Sequence, residues 1–131
     1  MLGIDTNVLV RFLVRDDAAQ FEKARRLIRR EVAAEGGVLV SLVVLAETVW
    51  VLRRRYSLQK TEVMETISGL LEAAELQFED EPAVEETLYV WKDSAADFAD
   101  CLIGAHERRL GCRATATFDA NAVKLAGFVG L

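Results

Sequence analysis

The chain has 131 residues, 52% of them hydrophobic and 28% charged, with two Cys and one Pro. That composition excludes a disordered tail and a disulfide scaffold, and a chain of this size buries roughly two-thirds of its unfolded surface, enough for a core without staples. Lys and Arg number 16 against 21 Asp and Glu, a net charge of −5 that disfavours nonspecific phosphate binding, because such binding depends on clustered cations.

Leu2 to Ile4 reads as a short buried strand, and the polar Asp5-Thr6-Asn7 then opens a helix through Val14. Asp16-Asp17 supplies a cap for the next helix, whose apolar residues Phe21, Ala24, Ile28 and Val32 fall at helical spacing, with Arg25, Arg26, Arg29 and Arg30 opposite. Val38 to Val40 predicts a second strand, and Leu42 to about Arg55 a helix that is apolar nearly all round. Val63, Ile67, Leu71 and Ala74 mark a further helix, Leu76 to Phe78 a strand, and Val84, Leu88 and Trp91 the helix after it. Phe98, Cys101, Leu102 and Ala105 mark the last helix, while Ala114 to Phe118 and Phe128-Val129 are β-prone. Short apolar strands alternating with amphipathic helices indicate an α/β fold with a parallel sheet, in which ligands bind beyond the carboxyl ends of the strands.

No repeat, low-complexity tract or linker interrupts the chain, so a single domain over 1–131 is expected. Its opening residues carry no cationic export region. The longest apolar run, Val38 to Ala46, is broken by Ser41 and falls short of the ~18 to 20 residues of a bilayer span. A cytoplasmic protein without a membrane segment is expected. Cys101 and Cys112 then read as reduced thiols, and the lone His106 does not complete a zinc set with them.

Four acids carry the chemical argument. Asp5 stands at the end of the first predicted strand, as a helix cap or as a residue of an active edge. Glu47 sits in the apolar helix, where a buried carboxylate must be paired, with Arg11 or Arg54 for instance, or bound to a cation. Asp100 shares a helix side with Asp97, Gly104 and Glu107. Asp97 reads as the N-cap and Asp100 as a first-turn acid, with Gly104 leaving room beside its carboxylate. Asp119 lies just past another strand, near the neutral oxygens of Thr117 and Asn121, as a turn residue or a ligand. Acids at the ends of parallel strands point to one edge, and a cluster of like charges there needs cations. Oxygen ligand sets suit Mg²⁺ or Mn²⁺, which recruit phosphate and activate water, so the residues point to metal-assisted phosphoryl chemistry.

Asp5-Thr6-Asn7 after a short strand, Glu47 in an apolar helix, Asp100 within Asp97-Phe98-Ala99-Asp100-Cys101-Leu102-Ile103 and Asp119 within Thr117-Phe118-Asp119 form an ordered quartet. Its gaps are 42, 53 and 19 residues. In this the chain, from Met1 to about Leu125, resembles the PIN-domain ribonucleases, and among them the VapC-type toxins of bacterial toxin-antitoxin pairs. The resemblance implies a three-layer α/β/α fold with a short parallel sheet and helices on both faces. It implies a Mg²⁺- or Mn²⁺-dependent endoribonuclease that leaves 5′-phosphate and 3′-hydroxyl ends, with Asp5, Glu47, Asp100 and Asp119 as metal ligands. Asn7 and Thr117 would then orient ligands and water, and Asp97 would add to the site or cap its helix. Many relatives carry a further Asp where Asn121 stands, so the resemblance implies a weaker second metal position here.

A homodimer and a cognate VapB-type antitoxin lying in the active-site groove are implied as well. The helix from Val63 to Ala74 and the aromatic residues Phe12, Trp50 and Tyr56 are candidates for those contacts. Arg11, Arg15, Arg53, Arg54, Arg55, Lys92 and Arg113 are candidates for RNA. Two other readings compete. A haloacid-dehalogenase-type phosphatase also begins from a strand-end Asp, but needs an acid where Asn7 stands. An inactive PIN-like module that only binds a partner has no need of four ordered acids.

Overall fold

The computed structural model describes residues 1–131. In chain order the elements are β1 Leu2–Gly3, α1 Thr6–Val14, α2 Ala18–Glu35, β2 Val38–Val40, α3 Leu42–Arg54, α4 Lys60–Glu72, β3 Leu76–Phe78, α5 Glu81–Lys92, α6 Phe98–Arg109, β4 Thr115–Thr117, a 3-10 turn at Ala122–Lys124, and β5 Phe128–Gly130. Every strand pairing is parallel, as the alternation of strands and helices predicts. The strands fall into a three-stranded and a two-stranded sheet, one in each of two compact units, Met1–Glu79 and Asp80–Leu131. No helix is long and apolar enough to cross a membrane.

In the first unit the strand order is β1-β2-β3, with Leu2 opposite Val38 and Val38 opposite Leu76. Parallel neighbours require crossover connections, and two helices fill each one. Val38 and Val40 of the central strand are fully buried and share the core with Leu9 of α1, Ile28 of α2, Leu45 of α3 and Ile67 of α4. Side-chain oxygens stop the helices unravelling at their starts: Asp17 accepts from the Gln20 N–H and Ser41 from the Val44 N–H. Gly36, at φ 84°, ends α2 in the left-handed conformation that glycine tolerates best.

Several expectations need correction here. β1 is not uniformly buried: Leu2 is 38% exposed, because β1 is an edge strand, while Ile4 is 6% exposed and its N–H extends the ladder to the Leu39 carbonyl at 3.1 Å. The buried stripe of α2 stops at Ile28 and leaves Val32 in solvent, since an 18-residue helix of about 27 Å outruns the three-residue strand it covers. In α4 the buried residues are Val63, Ile67 and Leu70 rather than Leu71, and Ala74 lies past the helix end. The largest departure is α3. It buries Leu42, Leu45, Thr48, Val49 and Leu52 on one face, while Val43, Glu47 and Trp50 are exposed on the other. The apolar character of Val43 and Trp50 made a two-faced helix resemble a buried one.

In the second unit α5 packs on α6, with Trp91 edge-on to Phe98 at 5.2 Å between ring centroids. Arg109 bridges to Asp80 and Arg108 to Glu86, each at 2.6 Å, tying the end of α6 to the first half of α5. The pair β4-β5 is joined through the 3-10 turn. Gly104 does not open space beside Asp100. A Cβ there would lie 2.5 Å from the Phe128 ring, so the missing side chain makes room for β5.

Candidate functional site

Asp5 follows β1 directly and is exposed. Its Oδ1 accepts the Val8 N–H at 3.0 Å, so it does cap α1, yet Oδ2 is left for another partner. Capping and ligation, posed as alternatives by the sequence, are compatible on one carboxylate.

Thr6, 8% exposed, donates its hydroxyl to Glu47 Oε1. Glu47 is thereby fastened from α3 to the first turn of α1, next to Asp5. It makes no ion pair with Arg11, whose guanidinium instead reaches Asp16 at 3.0 Å and the Tyr56 hydroxyl at 3.5 Å. Tyr56 in turn donates to Asp16 at 3.0 Å. That hydroxyl, against the opposing effect of burial and helped by Arg11, holds the Asp16 carboxyl below its ordinary range.

Between α1 and α2, beside Asp5, lies a cavity of about 310 Å³. Asn7, Val8 and Arg11 line it from α1, and Gln20, Lys23 and Leu27 from α2. A second strand-end acid in this unit, Glu79, accepts the Leu42 N–H at 2.8 Å and so holds the start of α3 from β3. Sequence reasoning missed both Thr6 and Glu79. The only cues were a hydroxyl between Asp5 and Asn7, and an acid immediately after a predicted strand.

In the second unit Asp100 lies within reach of the charges of Asp119 and Asp97. Burial raises the Asp100 carboxyl above its ordinary range, and the negative charges of Asp119 and then Asp97 raise it further. Asp97 occupies the N-cap position of α6 but its side chain makes no capping bond, so the capping role expected for it is not made. Asp119 donates its N–H to Thr117 Oγ1 at 3.0 Å, and its Oδ1 accepts the N–H groups of Asn121 and Ala122, each at 2.8 Å. Here too one carboxylate oxygen is used and Oδ2 is left. Asn121 contributes its backbone, and its side chain is exposed.

Neither unit gathers three His, Cys, Asp or Glu groups into a finished ligand cluster. The donor chemistry nevertheless suits a hard divalent cation: the groups are exposed or half-buried carboxylates, Asp5 and Asp119 each keep an oxygen to spare, and Asp100 lies where burial and neighbouring charge disfavour its ionisation. No curated protein gives a match to this sequence. Among protein-family models, the PIN domain matches residues 3–127, a span that crosses both compact units and includes Asp5, Glu47, Asp100 and Asp119. PIN domains are in general metal-dependent nucleases that act as hydrolases. With nearly its whole length matched, the chain belongs to the PIN domain family.

Proposed function

We propose that the protein is a Mg²⁺- or Mn²⁺-dependent endoribonuclease in which Asp5, Glu47, Asp100 and Asp119 hold the metal. The observation that carries this reading is the placement of Asp100, half-buried on α6 and facing the negative charges of Asp119 and Asp97, an arrangement that a bound cation relieves. Support also comes from Asp5 and Asp119, each of which commits Oδ1 to backbone N–H groups and keeps Oδ2 available. An all-oxygen set suits Mg²⁺ or Mn²⁺. When bound, such a metal supplies a nucleophilic water at neutral pH and a counter-charge for the phosphodiester.

The remaining polar groups position the ligands. Thr6 orients Glu47, and Thr117 fixes the turn that carries Asp119. Asn7 and Asn121 offer neutral oxygens, and Asp97 adds negative charge. The order of the acids along the chain matches that of the VapC-type toxins, which supports a toxin restrained by a VapB-type antitoxin, cytoplasmic and dimeric. A family match through both units supports one nuclease domain over 1–131.

The test is cleavage of single-stranded RNA with Mg²⁺ or Mn²⁺, with and without chelator, followed by end-group analysis. Cleavage is expected to stop with chelator and to be lost in Asp5→Asn and Asp100→Asn, while circular dichroism shows both variants folded. Folded variants that cleave like the wild type would sink the assignment.

A further inference from the structure

The cavity between α1 and α2 is not explained by metal binding, although Asp5 forms one of its walls. Its volume of about 310 Å³ lies at the lower end for small-ligand pockets. Val8, Ala24 and Leu27 provide an apolar lining, and Asn7 and Gln20 provide carboxamides, which pair with the hydrogen-bonding edges of bases. Two cations complete it, Arg11 and Lys23. Arg11 is held in place by Asp16 and Tyr56 before any ligand arrives. Lys23 is exposed and makes no ion pair, although its neighbours on α2, Arg25 and Arg26, are both taken up by Glu22. In a chain of net charge −5, a preorganised Arg and an unpaired Lys flanking an apolar hollow match a ligand that is anionic at one end and flat and apolar at the other. An unstacked nucleotide of single-stranded RNA has those properties.

We propose that this pocket holds one nucleotide of the RNA strand next to the cleaved bond, its base against Val8 and Leu27 and its phosphate on Arg11 and Lys23. The proposal rests on the nuclease reading above and adds to it the place where the strand is read. Gln20 uses only its backbone N–H, on Asp17, so its carboxamide is available to the base edge.

The experiment uses single-stranded RNA oligonucleotides in which the cleaved bond has been mapped, each with one abasic nucleotide at a chosen position beside that bond. In the wild type one position is expected to be sensitive, with kcat/KM falling about tenfold when its base is missing. That sensitivity disappears in Leu27→Trp, which fills the hollow. It also shrinks in Gln20→Ala, a change at an exposed side chain that leaves the fold intact. Cleavage indifferent to abasic substitution, or equally sensitive in the wild type and both variants, overturns the pocket alone. Failure of the wild type to cleave any RNA overturns the nuclease reading and the pocket with it.

Discussion

Thr6 is where one hydroxyl decides the orientation of a carboxylate. It is buried between two exposed acids in the fold's first turn, and its bond to Glu47 is the only side-chain link from α1 to that residue. Thr6→Val keeps the shape and removes the donor, and groups that orient ligands in this way typically contribute about 10- to 100-fold to metal affinity or activity. A loss of that size, seen in a Mn²⁺ titration of RNA cleavage with an unchanged circular dichroism spectrum, is the expected outcome. Asp100 gives a second prediction. Its folded-state pKa is raised, by burial first and then by Asp119 and Asp97, so the folded chain holds this proton more tightly than the unfolded one. Ionising Asp100 therefore lowers stability as pH rises from its unfolded value of about 3.9 through the folded one. In chelator, Asp100→Asn should melt at a higher temperature than wild type at neutral pH, and the advantage should vanish below about pH 3.9. Thermal melts at the two pH values check this, and a pH-independent difference counts against it. Asp5 and Asp119 could be picked out in the sequence because acids just past apolar strands are conspicuous, whereas Asp100 and Glu47 lie within helices. Glu47 was legible for a reason that failed: Val43 and Trp50, which suggested its burial, are 78% and 58% exposed. Its tether could not be read, because Thr6 and Glu47 lie 41 residues apart and no local pattern joins them.

At the scale of elements, helical spacing and short apolar runs placed the α-helices and strands to within a few residues, although α3 was read as apolar nearly all round and the 3-10 turn at Ala122–Lys124 was not foreseen. Long-range packing was not legible in that way. Gly104 illustrates the difference: its helix position suggested room for a carboxylate, whereas the ring of Phe128, 24 residues later in β5, fills that room. A methyl group at position 104 would sit 2.5 Å from an aromatic carbon, which forces α6 or β5 to move. Overpacking of this kind costs about 1–3 kcal/mol. Gly104→Ala should lose that much in urea unfolding, and Phe128→Leu in the same chain should restore part of it, because the smaller side chain vacates the contested space. Additive losses in the double variant would show that the contact is not the cause.

For the molecule as a whole, the net charge of −5 is unevenly shared. Residues 1–79 hold 11 Lys and Arg against 12 Asp and Glu, while residues 80–131 hold 5 against 9, so the units carry −1 and −4. The excess negative charge thus falls in the unit where the Asp100 carboxyl is already raised by its acidic neighbours, and divalent cations bound there would remove much of it. Most of the cations lie in the first unit, where Arg25 and Arg26 are committed to Glu22, while Arg11, held by Asp16, and the unpaired Lys23 border the pocket. Such a molecule should bind RNA through a few phosphates rather than a broad basic surface. Each phosphate contact on a single strand contributes a slope of about −0.7 to log affinity against log salt, so contacts from Arg11 and Lys23 alone give about −1.4. Fluorescence anisotropy of labelled RNA on the Asp100→Asn protein across a KCl series measures that slope directly. A value steeper than about −3 would require the exposed Arg29 and Arg30 of α2, or Arg53 to Arg55 at the end of α3, to join the interface, and the substrate path would then extend well beyond the pocket beside Asp5.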